Sequence, residues 1–184
     1  KIITSGGGGM IITNNYKMAK KARYLITQAK DNSLQYIHNN IGYNFRMSNI
    51  HAAIGLAQIE RINKILNKKK LIRDYYEHHI KNIDGFILAK VPDYSQNNNW
   101  LNILQINKIK LKKNKIQIIN ELLNLGIETR PVWMLNHLQK PFKKFQSHKI
   151  ELAKVLLNNS ICIPSSYNLT TNQLKKIINC LKLI

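Results

Sequence analysis

Between Gly42 and Ser48 the chain places Tyr43, Asn44 and Arg46 just ahead of a run that turns helical. An aromatic ring, an amide donor and a guanidinium beside a helix start make a setting for an anion. The first-turn N–H groups lack intrahelical partners, and the helix dipole favours negative charge there by about 0.3 to 1 kcal/mol. Asn44 could donate to a phosphate oxygen without adding charge, and Arg46 could grip an anion with two N–H groups or serve in a structural salt bridge. An ordinary capped turn would use the same residue types. A second set, Arg130, Trp133 and His137, falls within Thr129–Leu138. It reads either as a packed tryptophan with two polar neighbours or as a group of ligand contacts. His38 is a solvated or structural histidine, with a ligand contact as the alternative. Lysine is the side chain whose amine can bond a carbonyl cofactor, and nothing in composition or spacing separates Lys1 from the other lysines.

These residues need a frame. Ser48 or Asn49 can cap a helix whose apolar positions Ile50, Ala53, Ile54, Ala57, Ile62, Ile65 and Leu66 recur at spacings of three and four. Ala52, Ala53, Gly55 and Ala57 would let another backbone approach. With no Pro or Gly between Gly55 and Gly85, one continuous helix is expected from Ser48 to Ile80. At roughly 30 residues it would run about 45 Å, enough to leave one domain and enter the next. The domain boundary is placed near Ile80 to Gly85, giving domains of residues 1–80 and 81–184.

Ahead of that helix, Gly6 to Gly9 reads as a tight turn rather than a phosphate loop, since it lacks the spacing of the known phosphate motifs. Met10–Ile12 is expected to be a buried strand and Thr13-Asn14-Asn15 a cap. Lys17 to Ala29 should be a helix covering a sheet, and Asp31 to Asn40 a loop. Beyond Gly85 the expected elements are a strand at Trp100–Ile106, a helix at Asn114–Leu125 stopped by Gly126, and an extended segment at Ile127–Val132. A helix at Lys149–Asn158, a strand at Ile161–Ile163 ended by Pro164, and a terminal helix at Thr171–Leu181 capped by Thr170 or Thr171 complete the series. Strands alternating with helices indicate an α/β domain.

The 184 residues carry 29 Lys plus Arg against 9 Asp plus Glu, a net charge of +20. Such a charge suits a nucleic-acid or anionic-membrane partner. The lysines are scattered, however, with only short runs such as Lys68–Lys70 and Lys112–Lys115, so they read as solvated faces and nucleic acid is not expected as the main partner. No apolar run nears the roughly 20 residues of a membrane span. Cys162 and Cys180 fit no metal-ligand or C-x-x-C pattern and are expected to be buried thiols in a reducing cytoplasm.

G-Y-N-F-R-M followed by A-A-I-G-L-A-Q-I-E closely resembles the signature of the sugar-nucleotide aminotransferases named after DegT and StrS. K-I-I-T-S-G-G-G-G-M-I at the start, T-R-P-V-W-M-L-N-H-L at 129–138 and I-C-I-P-S-S-Y-N-L at 161–169 agree, in the family's order. The resemblance implies the C-terminal part of a fold-type-I pyridoxal-phosphate (PLP) transferase, with the end of the large domain joined by the long helix to a small α/β domain. It implies Lys1 as catalytic and cofactor-binding, and Asn44 as a ligand of the PLP phosphate in the neighbouring subunit of a homodimer. Tyr43, Arg46 and His137 become substrate contacts. The partners implied are a nucleotide sugar and an amino-acid donor, glutamate. T-Q-A-K-D, with T-R-P-V-W-M-L-N-H, looks most like members that aminate C4 of a UDP-linked 4-keto-6-deoxy N-acetyl sugar. The resemblance puts the carboxylate for the pyridine nitrogen and the ring that stacks on PLP upstream of Lys1, so the chain is expected to be a fragment, inactive alone. A PLP-dependent dehydratase or cyclitol aminotransferase of the same family is the rival enzyme. A basic α/β module binding nucleic acid or acidic glycan is the rival without catalysis.

Overall fold

Polar caps set the helix starts, as the sequence pattern requires. Asn15 accepts from the Met18 N–H at 3.1 Å and opens α1 (Tyr16–Ile26). Ser48 accepts from the His51 N–H at 3.3 Å and opens α2 (Asn49–Ile59). The computed structural model describes residues 1–32 and 34–184; within the expected 31–40 loop, Ser33 lies outside the described residues. The chain divides into two compact units, Lys1–Asn63 and Lys64–Ile184.

In the first unit several expectations fail. Met10, Ile11 and Ile12 form no strand and are 81%, 70% and 88% exposed. Nor does α1 cover a sheet: it buries no residue, and the unit's only β pairing among the described residues is the isolated bridges Thr27↔Asn44 and Asn32↔Ile37. A three-residue apolar run becomes a buried strand only where neighbouring strands accept its N–H and C=O groups. The apolar helix α2 also buries no residue. The expected continuous helix is broken, because the chain leaves α2 at Glu60 and Arg61 before α3 (Ile62–Ile80) begins. No Pro or Gly stands there. The last turn of α2 tightens instead, with the Arg61 N–H bonded three residues back to the Gln58 carbonyl at 3.2 Å.

The second unit is a four-stranded antiparallel sheet with helices. Its strands are β1 (Phe86–Leu88), β2 (Asn102–Ile106), β3 (Arg130–Pro131) and β4 (Ser160–Ile163). The order is β1-β2-β4-β3, with Leu88 opposite Leu104, Asn102 opposite Ile163, and Pro131 opposite Ile161. Because side chains alternate, Phe86, Leu88, Leu104, Ile106, Ile161 and Ile163 share the core. They cluster with Ile72, Tyr76 and Ile80 of α3, with Ile118 and Leu122 of α5 (Lys115–Asn124), and with Leu174, Ile177, Ile178 and Leu181 of α7 (Thr171–Lys182). The opposite sheet face carries the 58% exposed Ile87 and the half-buried Ile103, Gln105 and Cys162.

That core explains why the division into units falls within α3, ahead of the 80 to 85 stretch. Ile72, Tyr76 and Ile80 belong to the sheet's core, and helix propensity cannot reveal which end of a helix is the better packed. Short α4 (Lys108–Leu111) and β1 have no strong sequence pattern, and α6 (Glu151–Asn158) lies within its expected span. Gly126 closes α5 as the pattern predicts: at φ +76° it donates to Leu123, while Ile127 donates to Leu122. Thr170, not Thr171, caps α7. Of the two cysteines, Cys180 is buried and Cys162 only half-buried, since alternation puts Cys162 on the sheet's outer face.

Replacing Leu104, fully buried in the middle of β2, with Ala should cost about 2 to 5 kcal/mol. Ile109→Ala, at a position 88% exposed, should cost well under 1 kcal/mol, roughly the range for surface changes. Urea unfolding of both variants checks the contrast.

Candidate functional site

The Tyr43 loop is held by main-chain hydrogen bonds to the end of α1. Tyr43 N–H donates to Leu25 at 2.8 Å, Phe45 N–H to Ile26 at 3.0 Å, and Gln28 N–H to Tyr43 at 3.1 Å. Gly42 makes the approach feasible: a Cβ there would stand 2.4 Å from the Ala29 nitrogen and 2.7 Å from the Leu25 oxygen, and backbone cannot yield. Extended geometry turns Tyr43 and Phe45 to one side, where their rings stack at 5.0 Å and 11°. Asn44 and Arg46 are exposed. Arg46 lines a concavity of about 580 Å³ with Arg23, Tyr24, Ile26, Thr27 and Lys30. Three cations and no acid in that lining favour an anion such as phosphate. Arg23 and Lys30 were not singled out by sequence because a left-handed pair, Gln28 (φ 69°) and Ala29 (φ 49°), folds the chain back to bring them beside Arg46.

His38 is structural, its Nδ1 within 2.8 Å of the Gln28 carbonyl. Nearby Asp31 accepts from the Asn39 N–H at 2.7 Å and from the Tyr24 hydroxyl at 2.9 Å. The backbone bond from Asn39 is the larger cause holding its carboxyl below the ordinary range.

Lys1 is exposed, at the head of a segment shaped by its own short contacts. Ser5 Oγ donates to Gly7 O at 2.7 Å and Thr4 Oγ1 accepts from Gly6 N–H at 3.0 Å. Gly6 and Gly8 have φ of +79° and +109°. The tract lies against the first turn of α2, since a Cβ on Gly7 would meet His51 Nε2 at 3.5 Å and one on Gly8 would stand 2.5 Å from Met47 Cε. The first unit therefore brings the segment after Lys1 next to the end of the Tyr43 loop. The small residue at Gly55 admits Ser5, whose Cβ would be 3.4 Å from an added Cβ.

In the second unit His137 sits in a single 3₁₀ turn, Asn136–Leu138. Its Nε2 is buried and lacks a hydrogen-bond partner among the described residues. Arg130 is committed to Glu128 through Nε at 3.1 Å and Nη2 at 2.7 Å. Trp133, 62% exposed, faces Trp100 across 5.7 Å between ring centres at 35°. Sequence reading took Trp133 alone, because Trp100 lies far from it in the chain and meets it only in the fold.

Lys69 is the larger surprise. The Lys68–Lys70 run reads as solvated, yet Lys69 is 4% exposed. Its ammonium donates to the Trp100 carbonyl at 2.8 Å and to the Ser165 carbonyl. Burial pushes its pKa down from 10.5 to about 8. Arg73 Nη2 donates to Ala89 O at 2.6 Å, and Tyr76 Oη to Pro164 O at 2.8 Å.

The profile of the DegT/DnrJ/EryC1/StrS aminotransferase family matches residues 1–182. The chain is 33% identical over 187 residues to EpsN of Bacillus subtilis, covering 98% of this chain and 47% of that protein. It is 31% identical over 182 residues to a GDP-perosamine synthase of Caulobacter vibrioides, covering 98% and 49%. Among solved structures, the aminotransferase TlmJ of Streptoalloteichus hindustanus superposes on all of this chain and 49% of its own, with a TM-score of 0.86 at 17% identity. The fold is thus that of an aminotransferase part, and the chain spans about half the length of the relatives it matches.

The depressed Lys69 pKa gives a signed pH dependence. Between about 8 and 10.5 the unfolded chain holds a proton that the folded chain has released, so stability rises with pH across that window. The contribution is present above 10.5 and lost as pH falls through about 8. It should amount to about 2 to 3 kcal/mol. Urea unfolding across this range should show the rise in the wild-type chain and a much flatter curve in Lys69→Met.

Proposed function

We propose, since the chain belongs to the DegT/DnrJ/EryC1/StrS aminotransferase family, that the polypeptide carrying it transfers an amino group to a nucleotide-linked keto sugar with PLP as cofactor. The observation that best supports this from the molecule itself is the phosphate cradle of Arg23, Lys30 and Arg46 beside the Tyr43 loop, which fits a phosphate-bearing cofactor or substrate. When bound, PLP supplies an electron sink for the substrate carbon that exchanges its amino group. Lys1 Nζ is the amine that would hold the cofactor and carry a proton to or from that carbon. The Asn44 amide would donate to the cofactor phosphate, Tyr43 and Arg46 would contact the substrate's diphosphate end, and His137 would contact a sugar or nucleotide oxygen.

In this reading residues 1–80 close the cofactor-binding domain and include the connecting helix, whose α3 part packs into the sheet's core, and residues 81–184 form the small domain. The finer assignment, a UDP-linked 4-keto-6-deoxy N-acetyl sugar aminated at C4 by glutamate, rests on the T-Q-A-K-D and T-R-P-V-W-M-L-N-H segments. A GDP-linked sugar is the competing substrate, because a relative is named a GDP-perosamine synthase. A cytoplasmic location is part of the proposal and fits the two free cysteines. Among the described residues no helix is long and apolar enough to cross a membrane. A homodimer with composite sites is proposed as well. It is supported by α2, where Ile50, Ile54, Leu56 and Ile59 are 73%, 42%, 60% and 55% exposed.

Reduction with borohydride in the presence of PLP should fix the cofactor to the peptide containing Lys1 in the polypeptide that carries this chain. Label on another lysine would refute the assignment. Mixing a Lys1→Ala protein with an Asn44→Ala protein tests the dimer. If Asn44 serves the neighbouring subunit, each mixed dimer has one intact site and activity recovers towards half of wild type per dimer formed. If Asn44 acts within its own chain, mixing restores nothing, even with heterodimers demonstrated.

A further inference from the structure

The loops at one end of the second unit's sheet converge on a single helix face. β1 ends there at Leu88, β2 begins there at Asn102, β4 ends there at Ile163, and the β3 strand enters from Thr129. From α3, side chains four and three residues apart donate to four carbonyls in those loops. Lys69 takes Trp100 and Ser165, Arg73 takes Ala89, and Tyr76 takes Pro164. Arg73 and Tyr76 each answer one carbonyl. Lys69 alone bridges two loops, and only a long side chain with several N–H groups at its tip can do so from a helix.

The Trp100 end of that bridge is the backbone of a residue whose ring pairs with Trp133, and the Ser165 end is fixed in turn. Ser165 Oγ accepts from Asn102 N–H at 2.9 Å and from Asn102 Nδ2 at 2.8 Å. Asn102 is fully buried, and its Oδ1 has no hydrogen-bond partner among the described residues. The polypeptide at Trp100 is therefore held from two sides, by the strand pairing that begins at Asn102 and by the Lys69 ammonium.

The geometry points to Lys69 as a positioning residue that sets the angle and spacing of the Trp100–Trp133 wall, a surface able to stack on a planar base or the apolar face of a sugar. The ligand rests on the nucleotide-sugar reading above, whereas the positioning of the two rings does not. Without the ammonium, the Trp100 and Ser165 carbonyls lose their shared donor and the two loops lose the bridge between them. The wall then loosens while the core of α3, α5, α7 and the sheet remains.

The chain contains two tryptophans, so its near-ultraviolet circular dichroism and its emission report on this wall. In the 184-residue chain, Lys69→Met should lose most of the coupled tryptophan dichroism and shift emission to the red, with the far-ultraviolet spectrum unchanged. Lys69→Arg should keep at least half of the signal, and Lys64→Met, at an exposed position, should keep all of it. A folded Lys69→Met chain with wild-type tryptophan dichroism would overturn the inference. Should that variant fail to fold, Lys69→Gln, whose amide reaches one carbonyl, is read by the same two outcomes. In the polypeptide that carries the chain, Lys69→Met should raise KM for the sugar nucleotide about fivefold and leave kcat nearly unchanged, the signature of lost uniform binding. If no aminotransferase activity exists at all, the proposed function fails while the spectra still decide the role of Lys69.

Discussion

A sheet must end somewhere, and where its strands run out into loops the backbone carbonyls there still require donors. In the second unit that requirement falls on one face of α3. The answer is costly, because Lys69 is drawn out of water to meet it with carbonyls rather than a carboxylate. Two carbonyl dipoles offset only part of the lost hydration of an ammonium, in keeping with a pKa lowered by burial. The return is that the loops after β1, before β2 and after β4 are fixed to one rigid element. The residues they carry inherit that rigidity, Trp100 most directly.

Much of this was legible in the sequence where a single residue carries a local instruction. Asn15, Ser48 and Thr170 cap their helices, and Gly126 ends α5, because each acts on backbone groups within three or four residues of itself. The strands at Asn102–Ile106 and Ser160–Ile163 announced themselves by apolar β-branched runs. The candidate residues Lys1, Tyr43, Asn44, Arg46 and His137 came from motif order, and the structure gives their surroundings.

What stayed hidden depends on partners distant in the chain. Three consecutive lysines on a helix point in three directions about 100° apart, so a run such as Lys68–Lys70 must send one side chain elsewhere than its neighbours. Composition cannot say whether that direction is water or core. Arg23 joins Arg46 only because of the left-handed turn at Gln28 and Ala29, and Trp100 meets Trp133 across a long stretch of intervening chain. Met10–Ile12 and α2 show the opposite error: apolar residues promise burial, but burial needs a second surface, and within the described chain these segments lack one.

The sheet order leaves β1 and β3 as borders, and the two differ in kind. At β3 one of the two paired positions is Pro131, which has no N–H to give, and a border strand of this sort is a poor template for another chain to add to. At β1 the border is three residues long, with Ile87 between Phe86 and Leu88, too short to seed an extended ladder. Crowded, half-folded copies of this unit thus have little to gain by joining sheet to sheet, and a chain with this much apolar surface is spared one route to fibrous aggregation.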